Sequence, residues 1–465
     1  MRDPRKPRRA PERGSVLIIA LLVLVAISFI AVTLAREAKV EMQVAARTVD
    51  NMRARAIADS AIDRAMAAIK LDDTPGDTLT DTWRDDEPDF RNIQCGSGHY
   101  WILFGEEDPT VYGPGTGMTQ GAASAIKFGV RDEASKLNLN TATLAQLEQL
   151  PGMTEDIAES IIDWRSAGET ASPLGAKSAY YNSLTPGYSC KDAPFESMEE
   201  LLCVKEIDES VLYGEDRNRN GILDPCEDDG DKSFPPDDSD GQLLLGLADY
   251  LTLYSMEYNW TNDQRTRLYL GNVKQLSEIS TRLTTYGVNQ QIANAVAQYI
   301  VRPPRGAPPF SSIGQLVNVQ GMDATNMAIV GDELTTVNAT TIPGLINVNT
   351  AAQEVLAGLP GLTANDVQAI MAARTGSADL TSPAWLMAVL TKPKLAAIWD
   401  LITTRSFQFT IHVAVALDDH PSIIRRCEVV VDRGYAPMKV MYRRDLTPLG
   451  FPLPNERGTG PGSPP

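Results

Sequence analysis

Residues 216–227 read DRNRNGILDPCE. Asp216, Asn218 and Asn220 stand at positions 1, 3 and 5 of a twelve-residue calcium loop, with Gly221 at 6 for the sharp turn. Ile222 at position 7 offers a backbone carbonyl, Asp224 stands at 9, and Glu227 at 12 offers two oxygens. Oxygen ligands at alternating positions can converge on one centre, and hard oxygens suit Ca²⁺. Pro225 lies inside the loop and no strong helix precedes Asp216. The expectation is therefore a lone EF-hand-like loop holding structural calcium, against the plain alternative of an acidic surface loop. The acidic run over 228–240, with Asp228, Asp229, Asp231, Asp237, Asp238 and Asp240, reads either as a second calcium site or as a solvated charge run.

Other chemistry is sparse. The three histidines, His99, His412 and His420, are far apart in sequence, and no H-E-x-x-H, G-x-S-x-G or Walker pattern occurs. YGPGTG, 112–117, lacks the Lys-Ser/Thr of a phosphate loop and reads as a turn. The expectation is not an enzyme. Five cysteines, Cys95, Cys190, Cys203, Cys226 and Cys427, are spread along the chain. Outside the cytoplasm some can pair, with Cys190–Cys203 or Cys203–Cys226 as local choices, but spacing does not fix connectivity and the odd number leaves one over.

What positions this loop begins at the other end of the chain. Ser15 to Ala35 is an uncharged apolar run of about 21 residues, a helix of roughly 31 Å, enough to span a bilayer core. A secretory h-region is shorter, so this reads as a retained single-pass anchor. Arg2, Arg5, Lys6, Arg8, Arg9 and Arg13 precede it against only Asp3 and Glu12, which places residues 1–14 in the cytoplasm and the rest outside, in a periplasm-like compartment. No Gly or Pro occurs between Ser15 and Thr74. Apolar positions at Val40, Val44, Val49, Met52, Ala56, Ile62, Met66 and Ile69 predict that the helix continues over 36–74 with one apolar face, until Pro75-Gly76 ends it. The whole chain carries −18 and the leader contributes +4, so the exported part carries −22. That balance disfavours nucleic acid as a partner.

A basic leader, a glycine, a long apolar helix start and an amphipathic continuation resemble the type IV pilins and type II secretion pseudopilins. The resemblance implies cleavage by prepilin peptidase between Gly14 and Ser15 and methylation of the new amino group. Most family members carry Phe first and Glu fifth in the mature chain; here these are Ser15 and Ile19. A missing Glu, marked by Ile19, together with an unusually large exported part, is similar to the K-type minor pseudopilins, and implies a place at the filament tip.

KLNLNTATLAQLEQLPGMTEDIAESIIDWR (136–165) and GLINVNTAAQEVLAGLPGLTANDVQAIMAAR (344–374) align without a gap at an offset of 209. Asn138, Asn140, Thr141, Leu150, Pro151, Gly152, Thr154 and Arg165 meet Asn347, Asn349, Thr350, Leu359, Pro360, Gly361, Thr363 and Arg374. Each copy reads as two short helices broken at LPG, a helix-hairpin-helix of SAM-like type. The motif's DNA-binding form uses Gly-x-Gly, where this chain has Thr154 and Thr363, and its following helices open on Glu155-Asp156 and Ala364-Asn365. A membrane-anchored DNA-uptake protein is the alternative reading, and a calcium-dependent adhesion module on a stalk is a third. K-type pseudopilins resemble the main reading here too, entering such units by a D-E-x-x-K-x-N-x-N-T stretch, here Asp132, Glu133, Lys136, Asn138, Asn140 and Thr141.

Residues 77–97 read as loop, and 99–104 and the alternation through Ile126, Phe128 and Val130 as strands. Residues 197–212, 291–301 and 310–322 read as helices. Phe407 to Leu417 alternates strictly, and 423–432 and 438–443 complete an antiparallel meander. The predicted fold is α+β: a long N-terminal helix on a small antiparallel, pilin-like sheet (77–135 and 404–446), a helical insertion over 136–400 with the two hairpin units, and a disordered tail over 447–465. The implied function is a minor pseudopilin at the tip of the type II secretion pseudopilus. It would partner the I- and J-type minor pseudopilins, other pseudopilins and prepilin peptidase at the inner membrane, without nucleic acid, and would initiate assembly for export of folded proteins across the outer membrane.

Overall fold

With no helix breaker before Thr74, helix α1 forms without interruption over Ser15–Leu71, 57 residues. The computed structural model describes residues 15–107, 123–233, 236–237, 239–273, 275–303, 309–376, 379–453 and 456. The leader and the 112–117 turn lie outside them. The helix stops before Pro75 because Asp72 Oδ1 accepts the Thr74 N–H at 3.1 Å and its hydroxyl at 2.6 Å, a local side-chain bond that competes with the helix. Its buried face is Ala54, Ile57, Ala58, Ala61, Ile62, Ala65 and Ile69. The expected stripe holds only at its end: Val40, Val44, Val49, Met52 and Ala56 are exposed. Cover of α1 begins at Asp50, buried 3.7 Å from His420 of the turn after the strand Gln408–Leu417, and its apolar contact with the sheet begins at Ala54. There, alanines, which carry little apolar signal in sequence, form much of the contact face. Ala61 is fully buried, so Ala61→Leu should overpack this face and cost about 1–3 kcal/mol. The check is the urea midpoint of the extracted chain, which should fall.

The main sheet runs in the order Ile93–Cys95, Gly98–Ile102, Gln408–Leu417, Ile424–Asp432, Lys439–Asp445, every neighbour antiparallel, with Arg131–Asp132 paired to the start of the central strand. The central strand, Gln408–Leu417, is buried on both faces. Its apolar set, Phe409, Ile411, Val413, Val415 and Leu417, shares a core with α1. Its polar set is covered by the inserted chain: the Thr410 hydroxyl donates to Glu133, and Gln408 Oε1 accepts the Met256 N–H at 2.8 Å. His412 stays within the sheet, 2.9 Å from its cross-strand partner Glu428.

Several local expectations change. The 99–104 strand is split between Gly98–Ile102 and Phe104–Glu107. The 126–131 strand ends at Lys127, because Phe128 and Val130 bond instead to the segment 83–86, through Asp86 N–H to Phe128 O at 2.7 Å and Val130 N–H to Trp83 O at 2.9 Å. A Cβ on Gly129 would lie 2.1 Å from Arg84 O. That segment belongs to the supposed loop 77–97, which buries Trp83 and Phe90 completely and contains the helix Glu87–Phe90 and the strand Ile93–Cys95. Residues 197–212 form a 3₁₀ turn, Met198–Cys203, and a separate helix, Glu209–Tyr213, interrupted where Glu206 takes φ +63°. Residues 310–322 hold a 3₁₀ helix, Ile313–Asn318, closed by a Ser312–Gln315 capping box. The tail is ordered at its start: Phe451 packs edge-on to Trp101 at 5.0 Å, and Glu456 accepts the Trp101 indole N–H at 2.8 Å. Residues 457–465 lie outside the described residues.

The chain between the sheet's two halves builds its own core, from Leu137 to Ile402. It repeats three times, where the sequence reading found two copies. Each repeat opens with a two-residue strand that pairs in parallel with a closing strand: Leu137–Asn138 with Leu251–Thr252, Leu268–Tyr269 with Leu334–Thr335, and Ile346–Asn347 with Ile402–Thr403. Between them come a helix, a turn and a second helix. The second helices are Glu155–Arg165, Gln290–Val301 and Ala364–Arg374. Each turn holds a glycine at positive φ, Gly152, Gly287 and Gly361. Each second helix is capped by a side chain that accepts a backbone N–H, from Thr154, Asn289 and Thr363 respectively. The middle copy keeps the glycine and a cap but has neither N-x-N-T nor L-P-G, so its sequence carries no sign of the repeat. In the outer copies Arg165 donates to Leu139 O and Ala142 O, and Arg374 donates to Ala351 O at 2.6 Å, the equivalent carbonyl.

Candidate metal centre

The 216–227 loop is an excursion of the first repeat, inserted between the helix Glu209–Tyr213 and the closing strand Leu251–Thr252. Its base is pinned by the Gly214–Leu245 bridge and by Glu215 N–H to Leu244 O at 2.9 Å. One helical turn precedes it and a 3₁₀ turn, Gly230–Lys232, follows, so the long flanking helices of an EF-hand are missing.

The structure brings the five side-chain candidates together. Asp216 accepts the N–H groups of Asn220 at 2.9 Å and Gly221 at 2.8 Å. Glu227 reaches back across the loop to the Arg217 N–H at 2.9 Å and the Asp224 N–H at 3.0 Å. Asp224 Oδ2 takes the side-chain amides of Asn218 at 2.6 Å and Asn220 at 3.0 Å. Ile222 donates its N–H to Asn220 Oδ1 at 2.8 Å and turns its side chain toward the sheet core. Asp216, Asn220 and Glu227 are buried, and Asn218 Oδ1 is buried without a hydrogen-bond partner. Burial, with Asp249 and Glu227 close by, pushes the Asp216 carboxyl up to about 7, and burial followed by Asp224 also raises Glu227. An unpaired acceptor among crowded carboxylates suits a hard divalent cation.

Sequence reasoning missed what holds the loop in place. Arg426, on the strand Ile424–Asp432, donates to Asn218 O at 2.6 Å and to Arg219 O. Asn220 Nδ2 donates to Pro452 O at 3.0 Å. Gly221, at φ +71°, lies against Gly105, where a Cβ would come within 2.3 Å of the Gly105 Cα. The loop thus joins the repeat core to the sheet. These partners are about 120 to 230 residues away in the chain and leave no local pattern.

In 228–240 the described carboxylates hold turns: Asp237 accepts the N–H groups of Asp229, Gly230 and Ser239, and Asp228 accepts that of Gly241. Asp238 lies outside the described residues. The five cysteines are free thiols, with Cys190 and Cys427 buried. Gly14 lies outside the described residues, Ser15 begins α1, and Ile19 is exposed on it. Among the described residues, α1 alone is long and apolar enough to cross a membrane.

Residues 128–213 match the family model described as type II secretion system (T2SS), protein K. The matched segment contains Asp132, Glu133, Lys136, Asn138, Asn140 and Thr141, and it ends at Tyr213, just before the 216–227 loop. Asp132 ties it to the third repeat by accepting from Thr350 and from Asn347 Nδ2 at 3.1 Å. The chain is also similar to a chain in a crystal structure of the GspK-GspI-GspJ complex of the enterotoxigenic Escherichia coli type 2 secretion system. That likeness has 12% identity and a TM-score of 0.39, and covers 86% of this chain and 97% of that one. No curated protein sequence matches the chain.

Proposed function

We propose that this chain is a tip-located minor pseudopilin that starts or caps the type II secretion pseudopilus, with its exported part in the periplasm. The observation that carries the reading is the match of residues 128–213 to the protein K family model, behind the apolar N-terminal helix α1. The apolar half of α1 would bundle with other pseudopilin helices in the inner membrane, and the I- and J-type minor pseudopilins would be its immediate neighbours. Ile19, in place of the family's usual Glu, suits a subunit with none ahead of it. The bulky repeat core suits a single copy at the tip, where growth of the filament would serve export of folded proteins across the outer membrane. In the pilin-like reading, the sheet that packs on α1 is the pilin head and the three repeats are its insertion. Asp216, Asn218, Asn220, Asp224, Glu227 and the Ile222 carbonyl would hold structural calcium, and that ion would neutralise the crowded carboxylates.

Processing by prepilin peptidase is the direct test. Intact mass of the membrane-extracted chain should begin at N-methylated Ser15 in cells with the peptidase, and retain Gly14 and the leader in cells without it. A leader retained in both would leave only a simple anchor. The DNA reading is less well supported: Thr154 and Thr363 spend their hydroxyls on helix caps, and the first hairpin's second helix opens on Glu155 and Asp156.

A further inference from the structure

A second carboxylate cluster lies where α1 meets the sheet, far in sequence from the 216–227 loop. One oxygen each of Asp72, Asp77 and Asp81 lie within 4.8 Å of one another. Two ligands facing each other across a calcium ion are about 4.6–5.2 Å apart, from bonds of about 2.3–2.6 Å. These three oxygens can therefore share one such ion without large rearrangement.

Asp77 is fully buried, and its two oxygens differ. Oδ2 accepts the Ser406 N–H at 2.6 Å and the Arg433 guanidinium at 2.6 Å. Oδ1 is buried with no partner at all. A buried carboxylate oxygen left unmet costs free energy unless something completes it. Among the described residues, Arg433 is the cation in ion-pair contact with the cluster; it touches Asp77 and stands 3.7 Å from Asp72. Asp132 adds a fourth carboxylate close enough to act on Asp77. The remaining contacts are neutral donors: Thr74 and the Trp83 indole N–H to Asp72, and Thr78 to Asp81. One guanidinium does not balance this set.

We propose that Asp72, Asp77 and Asp81 form a divalent-cation site of calcium type that clamps the end of α1 to both cores. The position gives the clamp its purpose. Asp77 N–H bonds to Thr404 O at 2.8 Å, and Asp77 O accepts from Asn347 and Asn349 of the third repeat. An ion there fixes the exit of the chain from α1 against the sheet and the repeat core together. The site does not depend on the 216–227 loop holding calcium.

The test uses the full-length chain in detergent, with Tb³⁺ as the probe and Ca²⁺ as competitor. Trp83 Nε1 lies 3.1 Å from Asp72 Oδ2, so its indole should sensitise emission from a bound lanthanide. Glu227→Gln serves as background to remove the loop site. That variant should still show saturable, tryptophan-excited Tb³⁺ emission that Ca²⁺ displaces. Adding Asp81→Asn should weaken binding about tenfold or more, because affinity follows ligand charge. Asp81 is only half-buried and an amide there can still accept from Thr78, so the fold should hold, which circular dichroism checks. Independently, Asp81→Asn in the native chain should bind one equivalent of calcium fewer by equilibrium dialysis. Absence of displaceable emission in the Glu227→Gln chain, or equal affinity with and without Asp81→Asn, overturns the proposal. If the loop holds no calcium, the native and Glu227→Gln chains titrate alike and the Asp81 comparison still decides.

Discussion

Calcium should slow amide hydrogen exchange across 214–246 in the full-length chain, and Glu227→Gln should remove that protection. The amides to watch are Arg217, Asn220, Gly221 and Asp224, which already bond to the carboxylates of Asp216 and Glu227. A cation bound only by the folded loop stabilises it by about 2.7 kcal/mol at a hundredfold excess over its Kd. Opening of the loop should become correspondingly rarer, by about two powers of ten. Because Arg426 anchors the loop to the sheet, protection should extend to the Ile424–Asp432 strand. Magnesium at equal concentration should protect less. Equal protection in the native and Glu227→Gln chains would remove the loop from the list of calcium sites.

Glu257→Ala should be the most destabilising single change among the repeats. Glu257 is 4% exposed and sits between two arginines: Arg267 donates to Oε1 at 3.0 Å, and Arg405 donates to the same oxygen. Thr403, in the closing strand of the third repeat, donates to Oε2. Removing the carboxylate leaves Arg405 and Arg267 buried with too little negative charge, a loss of about 3–5 kcal/mol. Burial alone would raise the Glu257 carboxyl, but Arg405 and then Arg267 outweigh it and hold it below the usual glutamate range. The sign follows from linkage. The stabilisation is fully present above the unfolded value of about 4.3 and is lost as pH falls through the lower folded value. Urea unfolding of native and Glu257→Gln chains should therefore show a gap that is flat near neutrality and closes only in acid. A gap that closes near pH 7 would mean that the arginines do not govern this carboxylate.

Much of this architecture is local and was readable. The apolar run after Ser15 is uninterrupted, so α1 follows from helix physics alone. Phe407 to Leu417 alternates over a span long enough to mark a strand. The paired N-x-N-T and L-P-G segments repeat the same caps and turns, and the 216–227 loop places its oxygens at fixed short spacings. In each, the interactions that decide the local structure lie within a few residues.

Other features depended on partners far along the chain. Alternation showed that Gln408, Thr410 and His412 share a face, but not that repeats inserted between 136 and 404 would cover it. The fate of 77–97 turned on Trp83 and Phe90 meeting a core built partly from residues beyond 408. The middle repeat kept its fold after losing its signature, because a backbone at positive φ and one capping oxygen suffice, and Asn289 serves as well as Thr154. Asp77 stands in a segment that reads as loop, and its burial comes from Ser406, Arg433 and Asn347, which close around it. The helix, the strand periods, the hairpin turns and the ligand spacing are set by short-range geometry and so are written in the order of residues. Which faces are buried and which carboxylates converge emerges only on folding, because burial and charge crowding arise between segments that are neighbours in space and not in sequence.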